Sequence, residues 1–263
     1  MITAVVWSKD RACQLDLLLT SLERNAPGVF SPKVLYRSTS SGHEHGYDLC
    51  RSRFPDVHFQ FDGAAPAFLA RLLIDHGHDH ACFFTDDSVL YRELPFFPKL
   101  DSRTLCFSLR LGKNTTWCYP LAKEQALPRL LSNGDMLRWH WTDAEHDFSY
   151  PASVDGHVFR STALTAALRD CPTNANPNQI EEHLVKHFER DRRTLMAAYP
   201  HSCLVGIPVN TVSTTHRNRH GEQHSISPDF LLASYLRGER IDLDALDFSD
   251  VRGAHQEIEL VLT

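Results

Sequence analysis

Two adjacent acids, Asp86 and Asp87, occupy the position in this sequence that most directly suggests chemistry. They follow an apolar run at residues 81–84 and precede a second one at residues 89–91, so a buried strand is predicted to end in two carboxylates. Ligands of open α/β sheets bind beyond the carboxyl ends of the strands, and hard cations such as Mg²⁺ and Mn²⁺ prefer oxygen ligands. We therefore expect these acids to face a cleft and hold a divalent cation. The alternative is that they only cap the following turn.

The elements that would position these acids alternate between short apolar runs and amphipathic segments, which predicts a doubly wound sheet. In the first part of the chain the predicted strands are residues 2–7, 33–36, 57–61 and 81–84, and the predicted helices are residues 15–22, 47–54 and 68–74. Beyond Asp87 the pattern is less regular, as expected where loops build a substrate site. There the predicted strands are residues 104–109 and 203–209, and the predicted helices are residues 122–131, 161–169, a segment beginning at Pro177, and 228–237.

Length and composition exclude several classes of protein. The 263 residues suit one large α/β domain, and 42% apolar with 23% charged residues is close to the soluble globular average. A net charge of −6 gives no reason to expect nucleic acid as a partner. The seven cysteines form no Cys-x-x-Cys pair, and no apolar run approaches the length of a transmembrane segment. We expect a cytoplasmic protein with reduced thiols.

The first strand and helix carry a resemblance to a known family. Residues 5–11, Val-Val-Trp-Ser-Lys-Asp-Arg, lead into Gln14, Leu15 and a leucine-rich helix. This segment resembles the start of family-2-like glycosyltransferases of the GT-A fold, in which an apolar strand, a polar turn with an arginine and a helix follow one another. Thr85, Asp86 and Asp87 resemble the Asp-x-Asp signature of these enzymes, with Thr85 where the first acid usually stands. The resemblance covers residues 3–91 well and the remainder in outline.

The resemblance implies a nucleotide-diphosphate sugar donor whose diphosphate is bridged to the protein by Mn²⁺ or Mg²⁺. Asp87 would be the metal ligand, and Asp86 would reach the ribose or the metal. Ser8 and Arg11 would line the nucleotide pocket. It also implies a single GT-A domain over residues 1–263, with a mostly parallel central sheet flanked by helices. Residues 1–91 would form its nucleotide-binding half, and residues 92–263 an irregular acceptor-binding half with a C-terminal loop and helix.

An inverting sugar transfer needs a general base for the acceptor hydroxyl, and three acids are candidates. In the resembled enzymes the base is often an acid at the start of a helix on the acceptor side, which Glu181 and Glu182 match. Both could instead be first-turn glutamates favoured by the helix dipole. Asp155, beside Gly156 in a predicted turn, is the third candidate, for the base or for a contact to the donor sugar.

The polar segment 211–224 contains two further candidates. The resembled enzymes often supply a late histidine to the metal or the diphosphate, and His216 is the candidate here. Arg219 in the same segment could pair with the phosphates. The chain has 16 histidines, and imidazole suits zinc, so a metallohydrolase has to be considered. The sequence contains no His-Glu-x-x-His motif.

We therefore predict a metal-dependent glycosyltransferase of hexosyltransferase type that moves a sugar to a glycan, lipid-linked or small-molecule acceptor. One alternative is a sugar-phosphate nucleotidyltransferase, which would need a glycine-rich loop after the first strand. Residues 8–11 contain no glycine. The other alternative is a non-catalytic nucleotide- or glycan-binding domain of the same fold.

Overall fold

The architecture is known from a computed structural model, which describes residues 1–95, 97–212 and 219–263. The N-terminal part alternates strands and helices as predicted. Its strands are β1 (Ile2–Lys9), β2 (Phe30–Arg37), β3 (His58–Phe61), β4 (His80–Thr85) and β5 (Ser88–Leu90). Its helices are α1 (Ala12–Asn25), α2 (Ser41–Arg53) and α3 (Pro66–Asp75). Strands β1 to β4 are parallel, with β1 between β2 and β4.

The described residues of the remainder of the chain add short strands and further helices. The strands are β6 (Thr104–Ser108), β7 (Trp117–Cys118), β8 (Lys123–Glu124), β9 (Ser132–Asn133), β10 (Leu137–His140), β11 (His157–Arg160), β12 (Leu195–Ala198) and β13 (Leu204–Gly206). The helices are α4 (Ser161–Leu168), α5 (Pro177–Phe188) and α6 (Pro228–Leu236), with 3₁₀ turns at Trp141–Asp143, His146–Ser149 and Leu243–Ala245. This part is less regular than the first, as the sequence predicted.

The central sheet has nine strands in the order β3-β2-β1-β4-β11-β6-β12-β10-β9. Strand β11 runs antiparallel to both of its neighbours, β4 and β6. Because of this reversal, the start of β11 lies beside the end of β4, and the Gly156 N–H donates to the Phe83 carbonyl over 2.8 Å. The residues that precede β11 are therefore brought to the acids that follow β4.

Both faces of the sheet are covered by helices. In β1, Ala4 and Val6 pack in the cluster that contains α1, α2 and α6, whereas Val5 and Trp7 pack in the cluster that contains α3, α4 and α5. This alternation is the period of two expected of a strand buried on both faces. The predicted fold class, an α/β domain with a mostly parallel central sheet flanked by helices, is confirmed.

The helix predicted over residues 122–131 is wrong. Lys123 and Glu124 instead form β8, which pairs antiparallel with β7 in a hairpin, and the turn before it places Ala122 at a φ of +51°. Leu127 and Leu131 are exposed, so these two leucines of the predicted helix do not pack against the core. Pro128 also disfavours a continuous helix. Among the residues described, no helix is long and apolar enough to cross a membrane.

Candidate active site

The carboxyl ends of β1 and β4 open into a cleft of about 890 Å³. Its lining brings together seven of the residues named from the sequence: Ser8, Arg11, Asp86, Asp87, Asp155, Glu181 and Arg219. Glu182 is not among the described residues that line the cleft, and His216 lies outside the described residues.

Asp86 is held by the polar turn that follows β1. The Ser8 hydroxyl and the Lys9 N–H donate to its Oδ2 over 2.9 and 3.1 Å, and Arg11 donates to its Oδ1 over 3.0 Å. Its side chain is almost fully buried, and burial raises the pKa of Asp86 to about 6, although Arg11 opposes that shift. At neutral pH it is a charged acceptor of three donors. Asp86 therefore fixes the turn after β1 against the end of β4.

Asp87 is more open than its neighbour. Its side chain is 18% exposed, and its Oδ2 lies 3.2 Å from Nη1 of Arg11. Arg11 also donates to the Asn210 carbonyl, so one guanidinium joins both acids to the C-terminal part of the chain. This cation partly neutralises the two carboxylates and leaves Asp87 as the acid that presents oxygen to the cleft.

With the residues that the structure describes, a divalent cation fits this site as one shared with a ligand. Both oxygens of Asp86 already accept hydrogen bonds from protein donors, and the described residues contain no group of three or more His, Cys, Asp or Glu placed to hold a metal. Mg²⁺, however, is commonly held by one or two carboxylates, with substrate phosphates and water completing its shell. Asp87 can supply one such carboxylate.

Asp155 lies in a buried network that sequence analysis did not predict. Its Oδ2 accepts from Arg110 and from Nε2 of His255, each over 2.9 Å, and its Oδ1 accepts from the Ser88 hydroxyl over 2.7 Å. Burial alone would raise the pKa of Asp155, but Arg110 and His255 outweigh it and hold this pKa well below its usual range. Asp155 is therefore a permanently ionised acceptor.

The same network fixes the tautomer of His255. Nη2 of Arg110 lies 3.0 Å from Nδ1 of His255, and arginine can only donate. Nδ1 is therefore the acceptor in this contact, and the ring donates from Nε2 to Asp155. Arg110 and His255 both line the cleft.

Glu181 is positioned by the start of α5. A capping box begins this helix: the Asn176 side chain accepts from the Gln179 N–H, and the Gln179 side chain accepts from the Asn176 N–H. The Glu181 carboxylate then accepts from the Val154 N–H over 3.1 Å. Burial raises the pKa of Glu181 to about 7, against the lowering effects of the Val154 N–H and Arg110. A carboxyl group that titrates near neutral pH in a cleft is suited to general base chemistry.

One end of the cleft has an apolar wall and an ion pair. Trp7, Leu35 and Pro66 line it together with Arg37 and Asp62. Nε of Arg37 donates to Asp62 over 3.0 Å, and burial raises the pKa of Asp62. Apolar lining residues beside a donor and an acceptor are suited to a heteroaromatic ring with a polar edge.

Some of the cleft residues that sequence analysis missed could have been predicted from the sequence, whereas His255 could not. Arg37, Asp62 and Arg110 each follow the end of a strand or lie at it, so the rule that selected Asp86 could also have selected them. His255 lies in an irregular C-terminal segment, 145 residues beyond its partner Arg110. No local pattern links the two.

Comparison with solved structures gives matches to glycosyltransferases. S. aureus TarS (residues 1–349, in complex with UDP) matches with a TM-score of 0.48 and 10% identity over 78% of this chain and 59% of that one. The mannosyltransferase PcManGT from Pyrobaculum calidifontis, in complex with GDP-Man and Mn²⁺, matches with a TM-score of 0.41 and 12% identity over 76% of this chain and 54% of that one. The bifunctional glycosyltransferase WbbM matches with a TM-score of 0.35 and 12% identity over 70% of this chain and 37% of that one.

This chain spans about three fifths of the length of the TarS structure that it matches. Neither the models of protein families nor the curated proteins give a match to this sequence. At this level of similarity the chemistry of the cleft has to be inferred from its own residues.

Proposed function

We propose that this chain is a glycosyltransferase that transfers a sugar from a nucleoside-diphosphate donor to an acceptor hydroxyl, assisted by Mn²⁺ or Mg²⁺. One observation carries the proposal: a single cleft contains the Arg11–Asp86–Asp87 cluster, the cation Arg219, and a carboxyl group, Glu181, whose pKa is about 7. The first two groups suit a diphosphate, and the third suits removal of a proton from a hydroxyl.

In the proposed reaction the acceptor oxygen bonds to the anomeric carbon while the bond from that carbon to the diphosphate breaks. Glu181 takes the hydroxyl proton, and the leaving diphosphate retains the bonding electron pair. In this proposal Arg219 and Arg11 lie near the diphosphate, where their positive charge would stabilise the transition state. A divalent cation bound through Asp87 would supply further neutralisation of the diphosphate.

The three predicted candidates for the base differ in their surroundings. Both oxygens of Asp155 accept bonds from protein donors and its pKa is low, which favours a role in positioning Arg110. Glu182 is not among the described lining residues. Glu181 lines the cleft and has the raised pKa. We therefore assign the base to Glu181. A hexose as the transferred sugar, and a glycan, lipid-linked or small acceptor, stay predictions.

The test is calorimetric titration of UDP and GDP into the wild type and Asp87→Ala, each with and without Mn²⁺. We expect one nucleotide to bind, Mn²⁺ to strengthen the binding, and Asp87→Ala to remove that strengthening. Asp56→Ala is the matched control, because Asp56 is exposed and does not line the cleft. A wild type that binds neither nucleotide in either condition would contradict the proposal. Binding without transfer or donor hydrolysis would instead identify a non-catalytic binding domain.

A further inference from the structure

Glu257 is a buried acid that the proposed mechanism does not use. It is 8% exposed, and its carboxylate accepts hydrogen bonds from three successive backbone N–H groups. Glu222 donates to its Oε1 over 2.9 Å, and Gln223 and His224 donate to its Oε2 over 2.6 and 2.7 Å. The Tyr119 hydroxyl donates to the same Oε1. This carboxylate therefore joins segment 219–224 to the residues that follow β7.

Successive N–H groups that converge on one anion form a nest, a geometry that binds negative charge through backbone dipoles. Burial alone would raise the pKa of Glu257, but the backbone donors and the Tyr119 hydroxyl lower it to about 2. The carboxylate is therefore ionised throughout the pH range in which the protein would work. Arg219 and Glu222 of segment 219–224 interact with its charge, and they pair with each other over 2.6 Å.

The segment that Glu257 holds delivers Arg219 to the cleft. Nη1 of Arg219 donates to the Tyr119 carbonyl over 2.9 Å, and its guanidinium carbon lies 4.6 Å from the centroid of the Tyr119 ring. Glu257 thus contacts the backbone on one side of Arg219 and, through the hydroxyl group, the aromatic ring on which Arg219 lies. Arg219 and Tyr119 line the cleft, whereas Glu257 does not.

A second contact anchors the same segment. Gly221 has a φ of +60°, and its N–H donates to the Pro208 carbonyl over 2.8 Å. Pro208 lies two residues beyond β13, so the segment is held between Glu257 and the end of that strand. The segment that carries Arg219 is therefore held by contacts within the protein that need no ligand.

We propose that Glu257 is a positioning residue that fixes segment 219–224, and through it Arg219, where the diphosphate of the donor would bind. This inference rests on the proposed function for its ligand, but the anchoring can be measured without one. The carboxylate itself touches no reacting atom. Its effect on donor affinity should pass through Arg219.

A double-mutant cycle tests whether Glu257 affects donor affinity through Arg219. UDP and GDP are titrated into the wild type, Glu257→Gln, Arg219→Ala and the double variant. We expect each single variant to weaken binding about tenfold, because each loses a charge-assisted contact. The double variant should bind no more weakly than Arg219→Ala, because Glu257 acts through that residue. Glu239→Gln, which removes an exposed acid paired with Arg237, is the control and should bind as the wild type does.

Amide hydrogen exchange supplies a readout that needs no ligand. In Glu257→Gln the amides of residues 222–224 should exchange faster, while those of β1 and β4 stay protected. Tyr119→Phe is the milder variant, because it keeps the ring beneath Arg219 and removes only the hydroxyl contact with Glu257. It should show a smaller increase in exchange.

Several outcomes would overturn the inference. One is unchanged exchange at residues 222–224 in Glu257→Gln, and others are unchanged affinity in that variant or additive losses in the cycle. If the wild type binds neither nucleotide, the proposed function fails. Faster exchange in Glu257→Gln would then still support the anchoring of segment 219–224 by Glu257. Unchanged exchange would contradict that anchoring too.

Discussion

Glu181 is the residue whose ionisation should control the proposed reaction. Because its pKa is raised to about 7, the carboxylate that can take a proton forms only as the pH rises through that value. We expect kcat to fall below about pH 7, and Glu181→Gln to lower kcat by about 10²- to 10⁴-fold and remove this limb. The measurement is a profile of kcat between pH 5 and pH 9. If Glu182→Gln abolishes the limb while Glu181→Gln retains it, the base is Glu182.

The raised pKa of Glu181 also predicts an effect on stability. The folded state favours the neutral carboxyl group, so ionisation destabilises the protein as the pH rises from the ordinary glutamate value to about 7. Glu181→Gln should therefore stabilise the fold by about 1–2 kcal/mol at pH 8 and have little effect at pH 4. Urea denaturation at the two pH values measures this. If Glu181→Gln is less stable than the wild type at pH 8, the folded state stabilises the Glu181 carboxylate, and this prediction is wrong.

At the residue scale the sequence located the acids better than it described their roles. Asp86 and Asp87 could be found because they end a strongly apolar run, and a strand end has a known place in this class of sheet. The contacts of Asp155 could not be predicted, because Arg110 and His255 reach it from distant parts of the chain. Only those neighbours show that it is a permanently charged acceptor.

The turn that joins Asp155 to β11 depends on a glycine. Gly156 has a φ of +81°, and a Cβ there would lie 2.1 Å from Cδ2 of Leu204. Gly156→Ala combines backbone strain with a core clash and should cost about 2–3 kcal/mol. Gly28→Ala is the matched control, because its φ of +71° is similar and no atom lies within 4 Å of the added Cβ. It should cost about 1 kcal/mol.

Chemical denaturation of both glycine variants separates the two contributions. Equal losses in Gly156→Ala and Gly28→Ala would mean that Leu204 moves aside without cost and that only the backbone conformation matters. A larger loss in Gly156→Ala, accompanied by a lower kcat, would show that the turn holds the Asp155 network in place.

At the element scale, strands and helices could be predicted from the sequence where burial gives their apolar residues a regular spacing. Residues of β1 pack on both sides of the sheet, and the leucines of α1 pack together on one side. Their apolar patterns are therefore strong, and both elements were predicted. Residues 122–131 carry enough apolar side chains to suggest a helix, yet Leu127 and Leu131 are exposed. Tertiary contacts, here the β7–β8 pairing, decide the structure of such segments.

At the scale of the whole molecule, the cleft is assembled from residues that range from Trp7 to His255. A ligand bound there contacts both halves of the chain, and Arg11 already links the start of the chain to Asn210 near its end. Ligand binding to the native state alone should therefore raise the stability of the entire fold.

Thermal unfolding with nucleotide and metal tests this coupling. At a ligand concentration of about 100 times Kd the gain is about 2.7 kcal/mol, which in a chain of this size raises Tm by about 5–10 °C. We expect this rise with the nucleotide that binds and Mn²⁺ together, and a smaller one when EDTA replaces the metal. Mn²⁺ alone should have little effect, since Asp87 is the acid left to present oxygen to it and the described residues form no three-ligand cage.

The metal-only measurement also tests how the cation is held. If Mn²⁺ is shared between Asp87 and the diphosphate, neither partner binds it strongly alone, and Asp87→Ala should reduce the rise in Tm to the level seen with EDTA. If Mn²⁺ alone produces the full rise, the protein must hold the ion with ligands beyond Asp87. The cation would then be a resident part of the fold, present before the donor binds.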